Sequence, residues 1–336
     1  MTSFLTRNAR AASADVAIDF GTANILVGEI GSGIVLDEPS VCCFIDDGGR
    51  SRLYAAGAGA HPIVERATGR HRIAKPLRSG VMSDIDAGRE LLRYAIDRTG
   101  GRRAFRRAKV LIGVPADATP AERMALLTAA RDAGISNTRL FDEPLMAAIG
   151  AGLAIEEPRG RMLIDCGAGT TEVVVISLGG IYLTKSVRIG GDTLDEAIIN
   201  HLHLRHRFEI GITTAERVKR EIAADGSATR GVVEMRGKQS ATRMPGILMV
   251  PVDELLAVVA RHVGAIAETV KSALSETPPE LSRDILDDGI TLTGGSSVTN
   301  LLSQSITAAT GLAVQIADRP RDCVALGLAS ILERRR

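Results

Sequence analysis

The sequence predicts an α/β protein built from two duplicated domains. The main observation is a pattern that occurs twice: a β-rich strand ends on an acidic residue, a turn rich in Gly and Thr follows, and a second strand leaves the turn. The two copies begin near Asp15 and Met162, about 145 residues apart, which is the scale of a domain rather than of a short repeat. Each copy is followed by alternating helices and strands, as in α/β domains.

Local signals define the elements of the first half. The predicted strands are 15–20, 25–30, 109–114 and a short strand that ends at Leu140. Thr119, Pro120 and Glu122 supply an N-cap, a proline for the first helical turn and a capping-box partner. The helix that they begin ends near Gly134, and a helix rich in small residues is predicted at 144–152.

The second half is interpreted in the same way. The predicted strands are 162–165, 172–178, 181–187 and 290–292. The predicted helices are 192–207, 214–224 and 252–274, the last of them long and amphipathic. Residues 225–246 are the least regular stretch, and no element is predicted there.

Composition excludes several classes of protein. Lys and Arg total 41 against 40 Asp and Glu, so the net charge of +1 gives no overall electrostatic attraction for nucleic acid. Aromatic residues make up 3% and Trp is absent, which argues against stacking platforms for single strands. No apolar run approaches the length of about 20 residues that spans a bilayer, and the N-terminus lacks the apolar centre of a signal peptide. The four cysteines have no metal-ligand spacing and are interpreted as reduced thiols of a cytosolic protein.

The first turn carries residues that suit a phosphate group. Gly21 lets the backbone approach a ligand closely, and Thr22 and Asn24, together with the N–H groups of the turn around Ala23, can bind phosphate oxygens. Asp19, at the end of a strand, can hold a hydrated Mg²⁺. Alone, this pattern is equally typical of a plain hairpin turn.

The second turn repeats this chemistry. An acid at a strand end, two glycines and two hydroxyls recur as Asp165, Gly167, Gly169, Thr170 and Thr171. Two such loops that face each other would hold a polyphosphate from both sides, with the two aspartates next to one metal ion. The pair is far more specific than either loop alone.

Two further motifs are weaker. The pair Gly294 and Gly295, just past a strand, suits close packing against a flat ligand such as adenosine, although a bare Gly-Gly turn would have the same sequence. Glu143 lies at a strand-to-helix junction, where it could orient or deprotonate an attacking water. A first-turn glutamate favoured by the helix dipole is the alternative.

In this order and spacing, the motifs resemble those of the actin, sugar kinase and DnaK-type chaperone superfamily. Longer stretches resemble the MreB family specifically, and the likeness covers the chain from about Asp15 to Glu333. These stretches are 17–24 (AIDFGTAN), 33–41 (GIVLDEPSV), 143–153 (EPLMAAIGAGL), 169–178 (GTTEVVVISL), 186–200 (SVRIGGDTLDEAIIN) and 277–281 (TPPEL).

The resemblance implies an actin-like ATPase fold of two duplicated RNase H-like domains with ATP and Mg²⁺ in the cleft between them. Domain I would comprise 1–148 and 317–336, with a subdomain at about 36–74. Domain II would comprise 149–316, with a subdomain at about 186–246. A slow ATPase coupled to polymerisation is expected, in filaments that organise cell-wall synthesis at the inner membrane and so help to determine cell shape. The implied partners are further copies of the chain and membrane proteins of cell-wall elongation.

The resemblance also implies roles for single residues. Asp19 and Asp165 would hold the Mg²⁺ through waters, Glu143 would activate water, and Thr170 would help to position it. The phosphates would be held by Gly21, Thr22, Ala23, Asn24, Gly167, Gly169, Thr170 and Thr171. The adenosine would be contacted by Glu216, Arg217, Val218, Lys219, Gly294, Gly295, Ser296 and Ser297, and Asp192 would lie near the metal.

Three residues depart from the family pattern. Ile25 stands where such proteins usually carry Thr, Ala168 replaces the middle glycine of the second loop, and Ser296 replaces the third glycine of the adenosine loop. Ala168 and Ser296 add only a small group, whereas Ile25 removes a hydroxyl. The departures leave the rate of hydrolysis open and indicate a divergent paralogue.

Two segments are predicted to contact an anionic membrane. The N-terminal segment places Phe4 and Leu5 on one helical face, with a disordered tail as the alternative. The second segment, between a helix and the strand 109–114, corresponds to the membrane-facing loop of the family. It consists of one aromatic residue among four arginines, namely Arg102, Arg103, Phe105, Arg106 and Arg107, and an ordinary solvated loop is the alternative.

A group of histidines and several competing functions complete the interpretation. His203 and His206 share a helical face near His201, but no third ligand is evident, so a solvated helix face is favoured.

A metabolic kinase would need inserted helices and a chaperone would need a C-terminal substrate domain, neither of which the sequence indicates. A non-polymerising or partner-dependent actin-like ATPase and a filament that positions plasmids or organelles stay open.

Overall fold

The computed structural model describes residues 15–101, 105, 108–224, 231–298 and 300–334. The strands are β1 (Val16–Phe20), β2 (Asn24–Glu29), β3 (Gly33–Pro39), β4 (Cys42–Asp47), β5 (Arg50–Ala56), β6 (His71–Ala74), β7 (Leu77–Arg78), β8 (Val81–Met82), β9 (Val110–Val114), β10 (Thr138–Asp142), β11 (Arg161–Cys166), β12 (Thr171–Ser177), β13 (Gly180–Val187), β14 (Phe208–Glu209), β15 (Val232–Gln239), β16 (Pro245–Pro251), β17 (Ile290–Thr293) and β18 (Val314–Ile316). The α-helices are α1 (Ile85–Arg98), α2 (Pro120–Ala133), α3 (Glu143–Gly150), α4 (Gly191–His206), α5 (Ile212–Ala224), α6 (Val252–Glu276), α7 (Pro279–Asp288), α8 (Asn300–Thr310) and α9 (Cys323–Arg334).

Two five-stranded sheets have the same topology. The first has the order β10-β9-β1-β2-β3 and the second the order β13-β12-β11-β17-β18. In each sheet the first three strands form an antiparallel meander, and the last two run parallel to the first strand of the meander. Parallel neighbours require a crossover, and helices on the sheet faces supply it. The repeated topology confirms the predicted α/β fold with two duplicated domains.

The local helix signals act as predicted. At the start of α2, the Thr119 N–H donates to Glu122 Oε2 at 2.7 Å, and the Glu122 N–H donates to Thr119 Oγ1 at 3.3 Å. This reciprocal capping box satisfies N–H groups that the first helical turn leaves without partners. Gly134 ends the helix with a positive φ of 102°, a conformation that glycine adopts without steric cost.

The stretch described as least regular contains a hairpin, so that part of the interpretation was wrong. Within 225–246, the described residues belong largely to β15 and β16, which pair antiparallel and form a small sheet in the order β14-β15-β16. Only Val233 and Met235 are buried on β15, and the strand then continues through Arg236 and Lys238. Two buried positions give a weak alternation, and residues 225–230 lie outside the described part of the chain.

The first half carries a comparable small sheet. It has the order β5-β4-β6 and follows the meander of the first domain. Adjacent Cys42 and Cys43 on β4 point to opposite faces, as strand alternation requires: Cys42 joins the main core and Cys43 a separate small cluster. All four cysteines are buried and free, so no disulfide links them.

The two large sheets are joined through a pair of closely packed helices. Helices α3 and α9 pack against each other within an apolar cluster that includes Ala17 of β1 and Val174 of β12. Both helices use glycine where their backbones meet. A Cβ at Gly150 would lie 1.9 Å from the Cys323 carbonyl oxygen, and a Cβ at Gly327 would lie 1.9 Å from that of Met146. Any larger residue would force the helices apart.

Phe105 does not face a membrane, and that expectation was wrong. Its side chain is 1% exposed and belongs to the core of the first domain, together with Leu92, Ile96 and Ala108. Burying the ring in this core stabilises the fold more than a solvent-facing position would. The predicted contacts Arg102, Arg103, Arg106, Arg107, Phe4 and Leu5 lie outside the described residues. No helix in the described ranges has the length and apolar character needed to span a bilayer.

Candidate functional site

The turns β1–β2 and β11–β12 face each other across the space between the two domains. A Cβ at Gly169 would lie 2.6 Å from Thr22 Oγ1 and 2.8 Å from the Gly80 nitrogen. The Gly80 N–H donates to Thr22 Oγ1 at 3.2 Å, and a Cβ at Gly80 would lie 3.0 Å from Thr170 Cγ2. The two loops therefore meet at the turn between β7 and β8, and glycine is needed for this close approach.

In both loops, backbone carbonyl groups accept hydrogen bonds from residues outside the loop. Ser40 donates its hydroxyl to the Gly21 carbonyl at 2.7 Å and its N–H to the Ala23 carbonyl at 2.7 Å. In the second loop the Gly167 carbonyl accepts from the Gly191 N–H at 3.1 Å, and the Ala168 carbonyl accepts from the Asp192 N–H at 2.8 Å.

This arrangement sets the direction of the loop N–H groups. In a trans peptide the N–H points opposite to the carbonyl of the same unit. The Ala168 and Gly169 N–H groups therefore point away from α4. The Thr22 N–H points away from Ser40 in the same manner. N–H groups that project from two opposed loops form a cradle for an anion.

Two aspartates lie at the strand ends beside these loops. Burial, followed by the charges of Asp165 and Asp322, raises the pKa of Asp19 to about 7. Burial raises the pKa of Asp165 to about 6, although Thr293 Oγ1 donates to its Oδ1 at 2.9 Å. Closely placed carboxylates that repel one another are the donor set of a hard divalent cation, so their chemistry fits Mg²⁺.

Glu143 is the third carboxylate of this site. It is the first residue of α3, and its side chain passes over Gly113, where a Cβ would lie 2.9 Å from Glu143 Cγ. Burial, followed by the charges of Asp19 and Glu172, raises its pKa well above the usual range. A buried carboxyl with a raised pKa can accept a proton near neutral pH, which is the property that a general base requires.

Glu172 also belongs to this acidic cluster. The sequence-based interpretation did not single it out as a site residue. It is 1% exposed, and its Oε1 accepts a hydrogen bond from the Ala116 N–H at 2.9 Å. Burial raises its pKa to about 8. A glutamate inside the strongly apolar strand β12 was the available signal, since charged residues are rarely fully buried without a specific role.

Without a bound ligand or cation, the protein is expected to lose stability from about pH 4.5 to pH 8 through Glu172. Its pKa is 4.5 when exposed and about 8 when folded, so the folded state binds more protons in this range and stability falls as pH rises. Glu172→Gln still accepts from Ala116 but does not ionise. Its melting temperature should exceed that of wild type by at least about 3 °C at pH 8.5 and by less at pH 4.5.

Glu122→Gln is the control for this melting experiment, because folding lowers the pKa of Glu122 whereas it raises that of Glu172. Hydrogen bonds from the Thr119 N–H and hydroxyl lower the pKa of Glu122, so its contribution is present at neutral pH and is lost as pH falls through the folded pKa. The variant should melt below wild type at pH 7 and converge with it in acid. A Glu172→Gln curve that stays parallel to wild type across the range would contradict the buried-charge explanation.

The residues expected to contact adenosine divide into two groups. Lys219 Nζ lies 3.0 Å from the Gly191 carbonyl and 2.7 Å from Asp195 Oδ2, and Ser296 Oγ donates to the Gly167 carbonyl at 2.9 Å. These side chains therefore border the turn between β11 and β12. Gly294, with φ of 84°, lies behind it, because a Cβ there would be 2.8 Å from Asp165 Oδ1.

The other predicted residues are buried or are paired with neighbouring residues. Val218 is fully buried in the core of the second domain. Arg217 binds Glu221 and the Glu234 carbonyl, and Glu216 accepts from Arg220. Ser297 donates to the Gly294 carbonyl, Thr171 to the Ile189 carbonyl, and the Asn24 amide to Asp37 Oδ1. Gly295 faces Arg321 instead, since a Cβ there would lie 3.6 Å from Arg321 Cγ.

Ile25, one of the three residues that depart from the family pattern, does not place its side chain in either loop. Its side chain is fully buried in the core of the first domain, with Ile18 and Val27. Ile25 pairs with Phe20 across the hairpin, and its direction follows from the alternation of strand residues.

A second set of contacts joins the two halves away from the loops. Glu65, in the segment before β6, accepts hydrogen bonds from the Ile212 N–H, from the Thr213 N–H at 3.4 Å and from Thr213 Oγ1 at 2.7 Å. It thereby caps the N-terminus of α5, although 147 residues separate Glu65 from Ile212. Lys75 and Asp192 form a further link at 3.4 Å. Because one carboxylate satisfies several N–H and O–H groups, Glu65 holds the halves together on this side.

Glu65→Ala is expected to favour an open arrangement of the two halves. Loss of a helix cap costs about 0.5–2 kcal/mol, which corresponds to a roughly 2–30-fold faster dissociation of a ligand held between them. Stopped-flow release of a fluorescent analogue of ATP, the ligand that the sequence resemblance implies, measures this rate. Glu65→Gln keeps an oxygen acceptor and should show a smaller change, and Arg66→Ala is the neighbouring control. Equal release from Glu65→Ala and wild type would contradict a closing role.

Sequence comparison identifies the relatives of this chain. A family model described as MreB/Mbl protein matches residues 13–336. Cell shape-determining protein MreB of Escherichia coli K12 is 39% identical over 328 residues, which covers 96% of this chain and 94% of that protein. Cell shape-determining protein Mbl of Bacillus subtilis is 35% identical over 320 residues, which covers 95% of this chain and 96% of that protein.

Solved structures agree with this result. MreB5 of Spiroplasma citri, in a crystal structure with AMPPNP, has a TM-score of 0.89 and 31% identity, covering 95% of this chain and 96% of that one. A chain from a MamK double helical filament has a TM-score of 0.78 and 22% identity, covering 95% and 99%. At that identity the second likeness shows the actin-like fold alone.

Proposed function

We propose, because this chain belongs to the MreB/Mbl family, that it is an ATP-dependent, filament-forming cytoskeletal protein that helps to determine cell shape. The observation that carries the proposal is the pair of opposed loops beside three carboxylates, Asp19, Asp165 and Glu143. Within this proposal the protein lies in the cytoplasm at the inner membrane face, where its filaments organise cell-wall synthesis and contact membrane proteins of cell-wall elongation.

The phosphates of ATP would lie between the two loops. Backbone N–H groups of Thr22, Ala168 and Gly169 would donate to phosphate oxygens, and Gly21 and Gly167 would leave room for the close approach. Asp19 and Asp165 would hold Mg²⁺ through waters, and that ion would supply charge neutralisation. Support comes from MreB5 of Spiroplasma citri, whose crystal structures are described as bound to AMPPNP and to ADP.

The adenosine would lie on the side of the second loop that faces α5. Lys219 and Ser296 border that loop, and Gly294 allows the chain to pass close behind Asp165. Glu216 lies one helical turn before Lys219 and Arg220 and can contact the same side of the ligand. Val218 would support this surface from the core without contact.

Slow hydrolysis of ATP would depend on Glu143. Its carboxylate would orient the attacking water and accept its proton, and Thr170 of the second loop would help to position that water. Because burial and the neighbouring carboxylates raise the pKa of Glu143 well above its usual range, the fraction in the basic form grows as pH rises, and the rate should rise with it.

Sedimentation tests the filament proposal. Purified protein should pellet above a critical concentration with Mg-ATP and stay in the supernatant after EDTA or without nucleotide. Asp19→Asn/Asp165→Asn, which removes the proposed cation ligands, should not pellet under any of these conditions. Pelleting that is independent of nucleotide in wild type and variant alike would contradict an ATP-driven filament and indicate self-association that needs no nucleotide.

The proposed attachment to anionic lipid rests on the arginines of 102–107, since Phe105 is a core residue. Each basic residue near such a surface contributes about 1 kcal/mol, so Arg106→Ser/Arg107→Ser should weaken liposome binding roughly 30-fold. Arg131→Ser/Arg139→Ser makes the same charge change at exposed sites elsewhere and should bind as wild type does. Co-sedimentation with anionic liposomes measures both, and equal losses would show that net charge alone acts.

A further inference from the structure

A group of three metal-ligating side chains lies outside the cleft. His201 and His206 come from α4, and Glu254 comes from the first turn of α6. His201 Nε2 lies 2.6 Å from Glu254 Oε1, and His206 Nε2 lies 2.7 Å from the same oxygen. All three ligand atoms lie within 4.8 Å of one another. The sequence showed no third ligand, and the structure supplies one in Glu254, whereas His203 turns toward Ser240.

The backbone explains this convergence. His206 is the last residue of α4, and Arg207 then adopts a positive φ of 53°, which turns the chain toward β14. The end of α4 thus meets the start of α6. Glu254 lies between two imidazoles that approach it from one helix, and no local sequence pattern links residues this far apart.

The surroundings suit a small ion. The three side chains are 19%, 23% and 24% exposed, so they are partly removed from water and still open to solvent on one side. His201 also lines a cavity of about 600 Å³, together with His262, Val258 and Leu204. An ion could enter from this cavity and keep a bound water in it.

The donor chemistry selects the class of cation. Two imidazole nitrogens and one carboxylate oxygen are a ligand set that Zn²⁺ takes up, with a fourth position left for water. Mg²⁺ prefers oxygen ligands and would remain in the cleft. Zn²⁺ bonds to nitrogen and oxygen measure about 2.0–2.2 Å, so ligand atoms around one ion lie about 3–4 Å apart. Side-chain rotations that lengthen the present contacts by about half an ångström would give that spacing.

We propose that His201, His206 and Glu254 form a binding site for a divalent cation of the Zn²⁺ class, which ties the end of α4 to the start of α6. The chain between them, 207–253, contains α5 and the small sheet β14-β15-β16. A bound ion closes this loop and stabilises the folded arrangement of that part of the second half, because binding to the native state alone shifts the unfolding equilibrium.

Titration of the untagged full-length chain with ZnCl₂, in excess Mg²⁺ and after removal of metals with a chelator, tests the proposal. We expect one saturable site per chain and a melting temperature that rises with Zn²⁺. His206→Ala should weaken binding by at least about 10-fold, as losses of metal-site residues do. His203→Ala is the matched control, because it removes an exposed imidazole from the same helix and should bind as wild type does.

Glu254→Gln is the second test variant. It keeps the size of the side chain and an oxygen that accepts from both imidazoles, so it should fold normally while Zn²⁺ binding falls. Circular dichroism and pelleting with Mg-ATP, both without Zn²⁺, establish that each variant is folded. Absence of saturable binding in wild type would overturn the proposal, as would wild-type affinity in His206→Ala and Glu254→Gln. An equal loss in His203→Ala would overturn it too, since the ion would then bind elsewhere on α4.

Discussion

Replacing Glu143 by Gln is expected to lower ATP hydrolysis by about 10²–10⁴-fold while ATP still binds. Glutamine has the same size, so the contact with Gly113 and the start of α3 are kept. It cannot accept a proton from water, and the neighbouring carboxylate at the helix start, Asp142, accepts a hydrogen bond from Arg123 at 2.7 Å. Phosphate release under single-turnover conditions gives the rate, and a fluorescent ATP analogue gives the affinity.

Glu172→Gln is the matched control for this variant. It removes one carboxylate from the same acidic cluster, but Glu172 is fixed by the Ala116 N–H and lies on β12 rather than at the start of α3. It should therefore lower hydrolysis far less than Glu143→Gln. Similar losses in the two variants would mean that the cluster acts through its total charge, and Glu143 would lose its assigned role.

Gly327→Ala is expected to destabilise the protein by about 3 kcal/mol or more. The added methyl group would lie 1.9 Å from the Met146 carbonyl oxygen, and a backbone carbonyl inside a helix has little room to move. Helices α3 and α9 would have to separate, which loosens the apolar cluster between the two sheets. Because α3 begins at Glu143, ATP hydrolysis should also fall in the folded fraction. Urea denaturation measures the free energy of unfolding.

Gly264→Ala provides the matched control for this substitution. Gly264 lies inside α6, and, apart from its chain neighbours and the adjacent backbone of its own helix, no heavy atom of the described residues lies within 4 Å of the position that its Cβ would take. Alanine there should stabilise the protein by about 0.4–1 kcal/mol through the lower entropy of the unfolded chain. The same Gly→Ala change is thus expected to lower the free energy of unfolding at Gly327 and to raise it at Gly264. A Gly327→Ala variant as stable as Gly264→Ala would contradict the close helix contact.

The sequence predicted the duplicated fold because its signals are local. The turn motifs after Asp19 and Asp165 each combine an acid, glycines and hydroxyls within a few residues, and the capping box at Thr119 is similarly short. These signals depend on backbone conformation, which neighbouring residues determine. The position of Glu143 at a helix start followed from the same kind of pattern.

Features that depend on distant contacts could not be predicted. The burial of Phe105 depends on where α1 and the strand after it pack, and a single aromatic residue among arginines gives no sign of this. Glu65 caps a helix that begins 147 residues later, and Glu254 meets His206 across 48 residues. The inward side chain of Ile25 would have followed from strand alternation, had the hairpin register been fixed first.

Negative-stain electron microscopy on an anionic lipid monolayer, with and without Mg-ATP, tests the central claim most directly. Filaments that form only with Mg-ATP are the predicted result, and they would show that a chain with Ala168 and Ser296 in its loops still couples nucleotide to assembly. A folded protein that binds ATP and forms no filaments on the monolayer would contradict the claim and identify a non-polymerising ATPase or a subunit that requires a second chain.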